Sequence, residues 1–167
     1  MVNNNNIIQW NCRGLKPNLD EINLLIQKNN PLAICLQETY LKETDKITFK
    51  NYSLYSSYST NAERATGGTS ILLHNDSPHS RINLNTNITA TAVSVSAHKT
   101  ITICSIYLSP STLINQVDLD KLLDQLPTPY LLLGDFNGHN LLWGSNPTNR
   151  RGQQVETFIN KHDLYFK

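Results

Sequence analysis

Apolar and polar positions along this chain follow two rhythms, and each switch between them marks an element. Ile7–Asn11 (IIQWN) is a short apolar run and predicts a strand. Pro17 and Asn18 then open a helix, with Asn18 placed to cap it. Leu19, Ile22, Leu25 and Ile26 recur at helical spacing through Gln27, and Asn29, Asn30 and Pro31 stop the helix. Residues 32–38 (LAICLQE) are continuously apolar until their end, the pattern of a strand covered on both faces. Strand, helix and strand in this order predict a parallel pair joined by a right-handed crossover.

The middle of the chain turns to period two. NYSLYSSYS reads as a weak strand, Gly67 and Gly68 as a tight bend before Thr69–His74, and residues 88–96 as a half-buried strand. Residues 97–99 turn the chain into Thr100–Tyr107, so hairpins are expected here. Helical spacing returns at Val117, Leu119, Leu122, Leu123 and Leu126, ended by Pro127 and Pro129. The strand YLLLGDFN follows, then a helix over 152–162 with Val155, Phe158 and Ile159 facing inward, and LYFK begins another strand. Parallel units at each end with hairpins between them predict two sheets with helices outside.

A length of 167 residues suits one domain, and 39% hydrophobic with 16% charged residues fits a folded chain. Residues 1–6 read as a flexible lead-in and 7–167 as the domain. A net charge of +1 leaves a nucleic-acid partner open, since binding needs a local basic patch. Cys12, Cys35 and Cys104 each lie in or beside an apolar run and read as small buried hydrophobes, without disulfide or metal spacing. The start MVNNNN is no secretory signal, and no apolar run is long enough to cross a bilayer, so an intracellular protein without a membrane partner is expected.

Four apolar runs finish in polar residues: Asn11, Glu38, Tyr107 (followed by Ser109 and Pro110), and Asp135 with Asn137. Ligands of α/β proteins sit outside the carboxyl ends of strands, so folding would gather these groups at one mouth. Glu38 is a hard oxygen ligand suited to magnesium, which commonly takes one or two protein carboxylates. Asp135 can orient or deprotonate a water, Asn11 and Asn137 offer neutral amides, and Tyr107 offers a hydroxyl. A metal with neutral donors suits attack on a phosphodiester. Singly, each has a plainer reading. Glu38 can cap a loop or pair with Lys42, Asp135 and Asn137 can be ordinary turn residues, and Tyr107 can line the core edge.

QWNCRGL, LQETYL, IYLSPS and LLLGDFNGHNLLWGS stand in the order of the endonuclease/exonuclease/phosphatase superfamily, the group of deoxyribonuclease I. The chain resembles most the endonuclease domain of non-LTR retrotransposons, through GDFN, His139, LWGS and NRRG. The resemblance implies a two-sheet α/β sandwich of deoxyribonuclease-I type with outer helices. It implies a magnesium-dependent DNA endonuclease, with manganese as an alternative ion, that nicks target DNA to prime reverse transcription. It implies Asn11 and Glu38 at the metal, Tyr107 at the scissile phosphate, Asp135 on the attacking water, and Asn137 supporting both. It places Arg13, His139, Asn140, Trp143, Arg150 and Arg151 on DNA-facing loops, although Arg150 and Arg151 read equally as a solvated pair and Trp143 as a loop anchor. Full-length relatives would carry a reverse transcriptase domain and work in the nucleus.

The family's late Ser-Asp-His block does not occur here, and His162-Asp163 sits at a helix end, in the wrong context. The chain therefore reads as incomplete at its C-terminus, with a bare sheet edge and little or no nuclease activity. Two other readings are a non-catalytic remnant that binds DNA or metal weakly, and a phosphatase of the same superfamily.

Overall fold

In a computed structural model, residues 5–58 and 66–165 are described. The order is β1 (Ile7–Asn11), α1 (Leu19–Asn29), β2 (Ala33–Gln37), β3 (Tyr52–Ser57), β4 (Thr69–His74), β5 (His79–Ile82), β6 (Thr89–Ser96), β7 (Thr100–Tyr107), α2 (Gln116–Leu123), β8 (Tyr130–Asp135) and α3 (Arg150–Lys161). The strands form two four-stranded sheets, ordered β1-β2-β4-β3 and β5-β6-β7-β8. β1 pairs with β2 in parallel and β7 with β8 in parallel, while the remaining pairs are antiparallel. The residue pattern predicted two sheets with outer helices, and the structure has them, in the two-sheet α/β sandwich that the resemblance implied.

Side-chain alternation along the strands sorts the core into three layers. Ile34, Leu36 and Leu72 face α1 with Leu15 and Ile22. Ala33, Cys35, Ile71 and Leu73 point the other way, onto Val93, Val95 and Ile103 between the sheets. Ala92, Cys104 and Ile106 form the third layer, with Leu119 and Leu122 of α2 and Phe158 of α3. β2 is buried along its whole length because both of its faces are covered, which is why its sequence shows no alternation. All three cysteines are free and buried.

Polar groups lock the sheets in register. Gln37, fully buried, donates from Nε2 to Ser105 Oγ at 2.9 Å, and Ser105 Oγ reaches Leu36 O at 3.3 Å. Thr69 and Thr91 join the other strands through their hydroxyls at 2.9 Å. A buried hydrogen bond is retained only when both partners are present, so these pairs fix how far one sheet slides past the other.

Several local expectations need correction. Asn18 makes no capping bond. Its amide donates to Cys12 O and Gly14 O and ties the loop after β1 instead. Val117 is exposed, because α2 turns its buried face through Leu119, Leu122 and Leu123. β5 was not expected: four residues with an exposed centre carry too little pattern to read. Leu164 and Tyr165 are not in a strand, and Phe166 and Lys167 lie outside the described residues, as do Asn3 and Asn4 of the lead-in and Ser59 of NYSLYSSYS. Among the described residues no helix is long and apolar enough to cross a membrane.

α2 and α3 are clasped by Asp120, which accepts from Lys161 Nζ at 2.6 Å and His162 Nε2 at 2.7 Å. The bonds from His162 and then Lys161 hold its carboxyl down to about 2. A carboxyl depressed in the folded state contributes stability above its ordinary range and loses that contribution as pH falls toward the folded value. Asp120→Asn should therefore lower the melting temperature at pH 6, and the gap from wild type should close in melts run near pH 2.

Candidate functional site

The two parallel pairs end at the same level. Asn11 lies opposite Gln37 in β1–β2, and Tyr107 opposite Asp135 in β7–β8. The Gln37–Ser105 bond aligns one pair with the other. The result is a mouth at one end of the sandwich to which Asn11, Glu38, Tyr107, Asp135 and Asn137 all contribute.

At its centre the Asn11 amide donates from one nitrogen to both carboxylates, to Glu38 Oε1 at 2.7 Å and to Asp135 Oδ2 at 2.8 Å. Two acids from different sheets are thereby held side by side. Asn11 Oδ1 is buried and has no hydrogen-bond partner. An orphaned buried carbonyl is costly, and it is the atom that a cation or a donating water would satisfy. Tyr40 OH donates to Glu38 Oε2, and Asp135 Oδ1 accepts from Asn137 N at 2.9 Å. The Asn137 amide donates to Leu108 O at 3.1 Å, joining the strand-tip loop to the loop after Tyr107.

Charge and burial set the protonation states. Burial alone would raise Glu38, but hydrogen bonds from Asn11, Tyr40 and Tyr107 and the charge of Arg13 outweigh it and keep the carboxyl below its ordinary range. Tyr107 is raised by burial and by the Glu38 charge, so its hydroxyl stays a donor at neutral pH. Tyr40 is pushed up to about 12 by the same carboxylate.

Arg13, Glu38, Tyr40 and Asn137 all have positive φ, at 46°, 52°, 51° and 48°. Left-handed backbone is uncommon outside glycine and is kept where surrounding structure imposes it. Its concentration at this mouth shows that the fold spends conformational energy to aim these side chains.

The remaining predicted loop residues are placed differently. Arg13 is exposed beside Glu38, and Arg150 is exposed at the start of α3. His139 is exposed and bonds Ser145 Oγ through Nδ1. Trp143 donates from Nε1 to Gly138 O at 2.8 Å. Asn140 is buried, donates to Glu156 Oε2 at 2.7 Å and accepts from Leu142 N. Arg151 is turned inward, its guanidinium donating to the carbonyls of Leu108, Phe136, Ser109 and Thr112. It braces the loop after Tyr107 against the Asp135–Asn137 tip. The rest of NRRG is architectural as well. Asn149 Oδ1 accepts from Gly152 N and His139 N, and a Cβ on Gly152 would meet His139 O at 1.8 Å.

Arg151→Met should lower stability by about 2 kcal/mol or more in denaturant titration, since several carbonyls lose a charged donor. Arg151→Lys should recover little of it, because a point charge cannot reach a fan of acceptors as a planar fork does. An arginine serving only a solvated surface would leave the midpoint unchanged.

Sequence reasoning missed Tyr40, although LQETYL sets it two residues from Glu38. It missed Leu108 entirely, because Leu108 serves through its carbonyl. Among the described residues there is no group of three or more His, Cys, Asp or Glu able to hold a metal. The donors at the mouth are two carboxylates and an orphaned amide oxygen, a hard set compatible with one magnesium-like ion that keeps several waters.

Comparison with known proteins bears on the fold and the kinship of the chain. Residues 101–166 match a family model described as endonuclease-reverse transcriptase. The probable RNA-directed DNA polymerase from transposon X-element of Drosophila melanogaster is 24% identical over 161 residues, which cover 92% of this chain and 17% of that protein. The RNA-directed DNA polymerase from mobile element jockey of Drosophila funebris is 22% identical over 153 residues, covering 90% and 17%. The chain thus spans 17% of the length of these curated relatives. Among solved structures, the endonuclease domain of TRAS1, a telomere-specific non-LTR retrotransposon, superposes with a TM-score of 0.76 at 21% identity, covering 93% of this chain and 70% of that one.

Proposed function

We propose that the chain is a member of the endonuclease/exonuclease/phosphatase superfamily and the nuclease part of a non-LTR retrotransposon protein, built to hydrolyse DNA phosphodiesters with magnesium, a reading that its fold and its relatives support. The observation that carries this reading is the Asn11 amide clamped between Glu38 and Asp135 with its own oxygen buried and unpartnered.

Glu38 and Asn11 Oδ1 would hold the ion. When bound, such an ion adds positive charge where negative charge builds on phosphoryl oxygens. The chain's own groups do the rest. Asp135, fixed by the Asn11 side chain and by the Asn137 backbone N–H, orients and deprotonates the attacking water. The Tyr107 hydroxyl, kept protonated by burial and the Glu38 charge, donates to the phosphate. Arg13 and Arg150, both exposed, contact DNA backbone and carry register without reading bases. The nick would prime reverse transcription by a domain of the same polypeptide in full-length relatives, in the nucleus.

Among the described residues no histidine bonds to Asn11, Glu38 or Asp135. His139 pairs with Ser145 and His162 with Asp120. A cooperating catalytic set that lacks one member keeps little of its rate. The 167-residue polypeptide is therefore expected to bind the ion but to nick weakly. Supercoiled plasmid with magnesium should show little conversion above a Glu38→Ala control. Manganese should broaden the backbone amide resonances of Glu38 and Asn137 in wild type and not in Glu38→Ala. Absence of that Glu38-dependent broadening would end the metal-site reading, and strong Glu38-dependent nicking would end the claim of impairment.

A further inference from the structure

We propose that a polar cleft beside the mouth, distinct from the carboxylate cluster, holds the sugar-phosphate backbone of the DNA that flanks the cut, with Arg81 as its cationic contact. This rests on the reading of DNA as substrate and adds a place on the protein for it.

The cleft has a volume of about 480 Å³ and lies between β5, the segment 83–88 and the start of β6. Arg81, Asn83, Thr86, Asn87, Thr89 and Thr112 supply polar lining, and among the described residues no carboxylate lines it. Its position follows from register. Thr89 pairs with Tyr107, and Thr112 belongs to the loop that Arg151 braces against the strand tip. The cleft thus opens at the end of the sandwich where the site lies.

It is also preformed. The Asn85 N–H donates to Gln125 Oε1 at 2.7 Å and Gln125 Nε2 returns a bond to Asn85 O at 3.2 Å, which pins the 83–88 segment to the end of α2. Ile88 is buried beneath it, with Ile82 and Leu84 packed alongside. Arg81 reaches over from β5, its Nη2 donating to Ser56 O at 2.9 Å and Ser57 Oγ at 3.4 Å. Among the described residues it meets no carboxylate, and its Nη1 and Nε make no hydrogen bond to them.

One cation followed by a row of amides and hydroxyls is poorly matched to a compact multivalent anion, which needs charge gathered around it. It matches an extended backbone, where phosphates and sugars come in sequence and are met by arginine, asparagine and threonine together. Among the described residues the lining adds no acidic group to repel a phosphate.

The test is fluorescence anisotropy of a short labelled DNA duplex with the whole chain in EDTA, where nothing is cut. Arg81→Gln should weaken binding and reduce the slope of log affinity against log salt by about 0.9, the value for one phosphate contact. Thr89→Val should weaken binding with the slope unchanged. Because Arg81 also touches β3, the wild-type chain gives a second measure: its Arg81 Nε–H resonance should shift on adding DNA. Unchanged affinity and slope in Arg81→Gln, with an unmoved Arg81 resonance, would overturn the cleft while leaving the DNA reading intact. No binding of duplex by wild type would overturn both, and neither result touches the manganese test of the carboxylates. An RNA duplex bound as tightly, with the same dependence on Arg81, would overturn the assignment to DNA.

Discussion

Gly134→Ala should unfold the second sheet's parallel edge and lower stability by about 3 kcal/mol or more, in the range reserved for severe backbone conflicts. Gly134 lies opposite Ile106 in the β7–β8 pair, and a Cβ at this position would meet Ile106 O at 1.9 Å. The obstacle is backbone, so no rotamer change relieves it. β8 would have to move away from β7, and the Tyr107–Asp135 pairing one position further on would move with it. The glycine of GDFN is thus what lets β8 approach closely enough to bring Asp135 to the mouth. Chemical denaturation with far-ultraviolet dichroism measures the loss. Gly144→Ala provides the contrast. Nothing lies within 4 Å of a Cβ there, so its cost is limited to the left-handed backbone at φ 74°. Equal midpoints for the two variants would refute the packing account.

The same contrast explains what the residue pattern could and could not reveal. Strand ends were legible because a buried strand must change polarity where it leaves the core. Asn11, Glu38, Tyr107 and Asp135 stand at such changes, and the parallel register then carries them to one level. The division into two sheets with outer helices was legible, though not their strand order, because parallel units need crossover helices and hairpins do not. Arg151 was not legible as a brace, because its partners are carbonyl oxygens of Leu108, Ser109, Thr112 and Phe136, and a carbonyl has no residue signature. Asn140 failed for a related reason: an asparagine in a loop looks the same whether it faces solvent or, as here, is buried and donates to Glu156. Tyr40 was written beside Glu38, but its role depends on left-handed backbone at both residues, which brings its hydroxyl to the carboxylate.

With Asn11→Ala, affinity for manganese should fall by about 10- to 100-fold, as expected when a group that orients metal-binding carboxylates is lost. Asn11 has two separable functions. Its Nδ2 holds Glu38 and Asp135 together, and its Oδ1 is a buried acceptor without a partner. Alanine removes both, leaving two carboxylates adjacent without a shared donor. Asn11→Asp separates them. It keeps an oxygen where the orphan stands but turns the donor into a third negative charge, so the ion-free protein pays like-charge repulsion. Asn11→Asp should then melt lower than wild type in EDTA and gain more than wild type on adding magnesium, because a ligand that binds only the folded state stabilises in proportion to its affinity. Thermal melts with and without magnesium, beside manganese titrations followed by electron paramagnetic resonance, measure both effects. If Asn11→Asp melts lower in EDTA and magnesium returns none of the loss, the carbonyl oxygen has no part in holding the ion, and Asn11 acts through its nitrogen alone.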